Sequence, residues 1–274
     1  AVPGAFRVAR EWCAAYSGAD LGLLSWVGQC ADVLRPAQLA VNTTARYLRY
    51  SLRRWIHAWN SDALRAGELS PRLCHRLDRE TSGVLLVAKR AAAHAQLSRQ
   101  FEERKVEKRY LAIVHGIVDG DSGTCDHPIG PSRTSAIRLK MACIADGQVC
   151  RTDWKVLERF RDSTLLECEL FTGRQHQIRV HLAGLGHPIV GDKLYGADEM
   201  VFQRAADDEL TDEDRRSLLL DRQALHHHRL AFTSPASGER VVADSPLPHE
   251  LRPFRHPPAR PEGGAPRRAL PALG

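Results

Sequence analysis

The chain is 274 residues long, enough to bury a sizeable core in one large domain or two small ones. With 43% hydrophobic and 26% charged residues it has the make-up of an ordinary soluble globular protein. An excess of 39 Lys and Arg over 33 Asp and Glu gives a net charge of +6, a mild bias toward a polyanionic partner that does not by itself identify one. The 7 cysteines include no Cys-x-x-Cys pair, which speaks against a zinc or redox site and for scattered thiols in a reducing compartment. No basic-then-apolar leader pattern opens the chain. The most apolar stretch, residues 21–34, is broken by Gly28, Gln29 and Asp32 and falls short of the roughly 20 residues a membrane span needs. A cytoplasmic protein that does not enter a membrane is expected.

Residues 1–34 show no clear period and read as an irregular N-terminal segment. Residues 45–59 fit a basic helix, with Leu48, Leu52, Trp55 and Trp59 at helical spacing; its Arg46, Arg49, Arg53 and Arg54 either meet phosphate or form a solvated face. A polar loop over 74–83 leads into a strand at 84–88. A helix follows in which Ala93, Leu97 and Phe101 share one face. The β-branched and aromatic run 109–114 reads as a strand ended by Gly116. Residues 163–171 alternate, with Leu166, Cys168 and Leu170 on one face and Glu167 and Glu169 on the other, as in a half-buried antiparallel strand. After the Thr172-Gly173-Arg174 turn, Ile178, Leu182 and Leu185 predict an amphipathic helix. Residues 207–216 read as a charged surface excursion, and 224–232 and 241–243 as short strands. From 256 to 274 the Pro, Arg, Ala and Gly content predicts a disordered tail. Strands and helices do not alternate regularly, so the fold class is α+β.

Three segments carry candidate chemistry. Asp78 lies between Arg76 and Arg79, cations that would hold it ionised. An ionised carboxylate in a loop is either a nucleophile or base, or one partner in a surface salt bridge. Lys108-Arg109-Tyr110 sets an aromatic in a basic neighbourhood at a strand start, for stacking on a base or for the core. Residues 174–181 crowd Arg174, His176, Gln177, Arg179 and His181 at the start of a helix, where free N–H groups and guanidinium forks can take an anion. His176 and His181 are five apart, about 140° round a helix, and His226, His227 and His228 alternate faces in a strand, so neither set predicts a metal site.

These segments resemble one family. His75-Arg76-Leu77-Asp78-x-x-Thr81-Ser82-Gly83 is similar to the signature of the RluA-like RNA pseudouridine synthases. So are Lys108-x-Tyr110-x-Ala112-x-Val114-x-Gly116 and Thr172-Gly173-Arg174-x-His176-Gln177-Ile178-Arg179-Val180-His181, the last continuing through Gly186-His187-Pro188-Ile189-Val190-Gly191-Asp192 to Tyr195-Gly196. Three long motifs in one order are far more specific than a short pattern alone. The resemblance implies a catalytic domain over 35–255 with a mixed, mainly antiparallel sheet split by a central basic cleft and flanked by helices. It implies isomerisation of uridine to pseudouridine in structured RNA, ribosomal or transfer, by a monomer that needs no metal or organic cofactor. Asp78 would be the essential carboxylate, Tyr110 would stack on the target base, and Arg179 would pair with Asp78. Arg76 would fill the space left by the flipped-out uridine, and Lys108, Arg174 and His176 would join it in binding RNA.

The match departs from the family pattern toward the N-terminus, where the acidic strand that the family carries is not recognisable in residues 1–34. Where the family has Lys-Pro-x-Gly and then a His, this chain has Arg35-Pro36-Ala37-Gln38 and then Asn42. A positive φ at Gln38 would cost about 1 kcal/mol or more. Two rival expectations follow: an RNA-binding protein of the same fold with impaired chemistry, and a metal-dependent hydrolase using the histidine-rich segments.

Overall fold

A computed structural model describes residues 22–27, 30–35, 71–196 and 198–255. The basic helix read at 45–59, the substitutions at Gln38 and Asn42, and the tail at 256–274 lie outside the described residues. In chain order the strands are β1 (Gly22–Val27), β2 (Cys30–Arg35), β3 (Arg72–Leu73), β4 (Ser82–Ala88), β5 (Glu107–His115), β6 (Ser122–Cys125), β7 (Ile129–Pro131), β8 (Met141–Cys143), β9 (Thr152–Arg159), β10 (Ser163–Leu170), β11 (Leu225–Thr233) and β12 (Arg240–Asp244). The helices are α1 (Ala91–Glu102), α2 (Gln177–Gly184), α3 (Met200–Ala206) and α4 (Asp212–Leu218), with a 3-10 segment at His249–Arg255. The fold is α+β with a mixed, mainly antiparallel sheet and a few helices, as the sequence predicts. No helix among the described residues is long and apolar enough to cross a membrane.

The chain forms two compact units, the first holding the described residues up to Lys108 together with His227–Ser245. Its strands run in the order β1-β2-β4-β11, with β3 on β4 and β12 on β11. β4 is buried along its whole length, which is why it reads as an unbroken apolar run rather than an alternating one. Val84, Leu86 and Ala88 pack with Ala93 and Leu97 of α1 and with Leu230 and Phe232 of β11; Phe101 covers this core from the predicted helix face. The N-terminal segment departs from the aperiodic reading. β1 and β2 pair antiparallel in a register that brings Val27 opposite Cys30, and β2 then pairs with β4. Neither strand alternates in sequence, and a bulge between Leu23 and Ser25 breaks the period of 2.

The second unit holds the described residues of 109–226 and those of 246–255. Its strands run β5-β10-β9-β6, with β7 and β8 as a separate ribbon. β10 buries Leu166, Cys168 and Leu170 and leaves Glu167 and Glu169 partly exposed, as its alternation predicts. Arg109 of β5 meets both of those carboxylates, at 3.1 and 3.5 Å. α2 buries Ile178 and Leu182, but it stops at Gly184 and leaves Leu185 40% exposed, against the predicted third apolar contact. The cause is the ending: Gly186 takes φ +84°, its N–H bonds the Ala183 carbonyl, and the His187 N–H reaches back to Leu182, a Schellman stop. The charged stretch follows directly on α3 and runs into α4, which is begun by a capping box between Thr211 and Asp214.

Candidate active site

In the first unit, the residues that carry Asp78 form a short excursion between β3 and β4. The Thr81 N–H donates to the Asp78 carbonyl at 3.0 Å and closes a turn. Leu77, Thr81 and Ser82 are buried, Asp78 is half-buried and Arg76 is exposed. Arg79 meets Glu80 at 3.3 Å. Gly83 closes the excursion at φ +121°, where a Cβ would lie 2.2 Å from the His227 carbonyl oxygen, so only glycine fits. Lys108 is partly buried, and desolvation, then the charge of Arg104, holds its ammonium below the usual lysine range.

In the second unit, the Thr172–His181 segment is organised by one amide. Gln177 accepts from the Thr172 hydroxyl at 2.7 Å and the Arg174 N–H at 3.0 Å, and donates to the Arg151 carbonyl and the Thr152 hydroxyl, each at 2.9 Å. The turn before α2 is thereby fixed, and His176 is held at φ 58° with its Nδ1 2.8 Å from the Tyr195 hydroxyl. Arg174 is partly exposed and donates to the Val149 carbonyl at 3.3 Å. His181 is fully buried, with Nδ1 on the Thr152 hydroxyl and Nε2 near the His127 carbonyl, so it serves packing. Burial, opposed by its bond to His127, keeps this imidazole below the usual histidine range.

Arg179 is 8% exposed, and its Nε and Nη2 donate to Asp192 at 2.7 and 2.9 Å while its guanidinium lies 4.9 Å from the Tyr195 ring centre. Asp192 also accepts the N–H groups of Leu194 and Tyr195, at 2.9 and 3.1 Å. Burial opposes the charge on Asp192, but Arg179 and the two backbone donors outweigh it and hold the carboxyl below its ordinary range. Sequence reasoning placed Asp192 inside a motif but gave it no role. Its neighbour Gly191, at φ +75°, would put a Cβ 2.0 Å from the Arg222 carbonyl oxygen. The same segment docks on β5: Val190 N–H donates to Ile113 and His115 N–H to Pro188, each at 2.9 Å. Tyr110, on that strand, is 7% exposed.

A family model described as RNA pseudouridylate synthase matches residues 36–184, more than half of the chain. The chain belongs to the RNA pseudouridylate synthase family. A ribosomal large subunit pseudouridine synthase D of Xanthomonas campestris is 47% identical over 179 residues, 65% of this chain and 52% of that protein. An uncharacterized RNA pseudouridine synthase of Bacillus subtilis is 40% identical over 185 residues, 68% of this chain and 55% of that protein. The chain thus spans about half the length of the curated relatives it matches. Among solved structures, human RNA pseudouridylate synthase domain containing 1 is similar with a TM-score of 0.64 and 27% identity, covering 83% of each chain. Human RNA pseudouridylate synthase domain containing 4 shares the fold, with a TM-score of 0.69 and 24% identity over 92% of this chain and 95% of that one.

Proposed function

We propose that this pseudouridylate synthase family member converts uridine to pseudouridine in RNA, breaking the glycosidic bond, turning the uracil and rejoining it through carbon. Asp78 is the essential carboxylate in this proposal. The observation that carries it is family membership together with the three motif segments in order, the first presenting Asp78 on a turn anchored at both ends. Tyr110 stacks on the target base, and Arg179 keeps Asp78 charged. Exposed Arg76 fills the space left by the flipped base. Lys108 and Arg174 supply positive charge toward RNA; His176, buried against Tyr195, acts through the turn it caps. The basic cleft belongs to the same proposal, as do a monomeric state, a cytoplasmic location and chemistry without a cofactor. Large-subunit ribosomal RNA is the substrate proposed, because several relatives carry that substrate in their names.

The test is Asp78→Asn on an unmodified transcript of large-subunit ribosomal RNA, with pseudouridines mapped by sequencing. The variant should form no product while binding the transcript within about 3-fold of wild type, since affinity rests on many Lys and Arg contacts. Full turnover by the variant would remove Asp78 from the reaction. A wild-type protein that binds but forms no product would favour the rival, a binding protein of this fold.

A further inference from the structure

The edge of β4 away from β2 changes partner part-way along. At its C-terminal end it pairs with β3, Arg72 opposite Ala88 and Leu73 opposite Val87. The next rung is half made by backbone, with Cys74 N–H donating to the Leu86 carbonyl at 3.0 Å. The other half is made by a side chain: Leu86 N–H donates to His75 Nε2 at 3.0 Å. Two residues back along β4, and therefore on the same edge, the Val84 carbonyl is 2.7 Å from His227 Nδ1. The two imidazoles lie edge to face, 5.5 Å apart at 88°, and Phe101 of α1 packs on His75 at 5.3 Å. A pair of histidine rings thus stands where β3 leaves the strand and β11 takes over.

The donors fix both tautomers. An N–H can give a proton only to a bare nitrogen, so His75 Nε2 is unprotonated and Nδ1 carries the hydrogen. A carbonyl only accepts, so His227 donates from Nδ1. The groups facing His75 favour the neutral ring. Burial, then the charge of Lys108 on β5, brings its pKa down to about 4, against a hydrogen bond to the Arg76 backbone. His227 is the other titratable group packed on it.

Resting on the assignment of Asp78 as the essential carboxylate, we infer that His75 is a positioning residue: its imidazole replaces a backbone carbonyl on β4 and so fixes where the chain to Asp78 departs. Asp78 follows it by three residues. His75 is the anchor before the turn, as Gly83 against His227 is the anchor after it. The imidazole touches no reacting atom in this role; it sets the geometry of the residue that does.

The experiment compares His75→Phe, which keeps a ring but loses the acceptor, with His75→Gln, whose Oε1 reaches the position of Nε2. Single-turnover rates are measured on the unmodified large-subunit transcript, beside Asp78→Asn. The rate of His75→Phe should fall about 100-fold, the scale of a displaced reacting group, with transcript binding within about 3-fold. His75→Gln should recover to within about 5-fold of wild type, because it restores the acceptor. If Asp78→Asn is dead and His75→Phe turns over like wild type, the inference about His75 fails alone. Equal loss in both His75 variants would also overturn it, since bulk and not the acceptor would then matter. If Asp78→Asn turns over normally, the catalytic assignment fails and takes this inference with it. A measurement on wild type needs no variant to fold: long-range nitrogen–proton spectra should show His75 protonated on Nδ1 at neutral pH, and protonation on Nε2 would refute the bond to Leu86.

Discussion

Replacing Asp192 by Asn should destabilise the protein strongly, although Asp192 is outside the set of residues proposed to act on RNA. Its side chain is fully buried and accepts four hydrogen bonds, three at Oδ1 and one at Oδ2. The amide keeps the shape but puts an NH2 group where an oxygen stood. Facing Nε of Arg179, it sets donor against donor; turned over, it repels Nη2 and the N–H groups of Leu194 and Tyr195. Either way the Arg179 cation, 8% exposed, loses this carboxylate. Breaking a buried pair from one side costs about 3–5 kcal/mol, a large share of a total stability of about 5–15 kcal/mol. At about 2–4 °C per kcal/mol for a chain of this size, the melting temperature should drop by about 6–20 °C. The pH dependence gives a second reading. The folded carboxyl is held below its ordinary value, so its contribution is complete above the unfolded pKa and is lost as pH falls through the folded one. The gap between wild type and Asp192→Asn should therefore be widest near neutrality and narrow below about pH 4. Adding Arg179→Gln to Asp192→Asn should restore part of the stability, because an uncharged pair no longer leaves a buried cation. Calorimetry and urea titration measure both variants. A single-variant cost under about 1 kcal/mol, the range of an exposed ion pair, would refute the reasoning.

Gly83→Ala should cost about 3 kcal/mol or more, because its φ of +121° is strained for alanine and the new Cβ would meet the His227 backbone at 2.2 Å; a melting temperature like that of wild type would show that β4 and β11 separate easily there. Turnover should survive excess EDTA, since among the described residues no three His, Cys, Asp or Glu side chains are placed to hold an ion. Loss of activity restored by added zinc would favour the hydrolase reading, provided that RNA folding is checked in parallel.

What could be read in the sequence depended on how each element is buried. α1 and the second half of β10 bury one face each, so Ala93 with Leu97 and Leu166 with Cys168 announce their periods of 3.6 and 2. β4 is buried on both faces, and its length and the Gly83 that precedes its apolar run identify it instead. β1 is not legible because the irregularity between Leu23 and Ser25 disturbs its alternation, and β2 does not alternate in sequence. The two-residue gap of Gly28 and Gln29 between apolar runs was the available hairpin signal. Leu185 misled because helical periodicity ignores stop signals, and Gly186 was that signal.

The Arg179–Asp192 pair shows why a motif can be recognised before its working parts are understood. The two residues are 13 apart, on either side of a helix stop and the tight turn at Gly191, and no local period links them. Each lies inside the motif, yet the resemblance gives a chemical role to Arg179 and none to Asp192. The geometry gives Asp192 a structural part: it takes the Nε–Nη2 edge of Arg179 and binds it to the Leu194–Tyr195 backbone. It follows that loss of turnover in Arg179→Ala cannot by itself assign Arg179 a chemical role, because the same change strands a buried carboxylate. The discriminating comparison is between Arg179→Ala and Asp192→Asn at matched fractions folded. If Arg179 acts on Asp78, the first should lose turnover well beyond what unfolding explains, and the second should lose little more than its folded fraction. Equal losses in the two would leave Arg179 a structural residue, and the control of Asp78 would have to come from another cation.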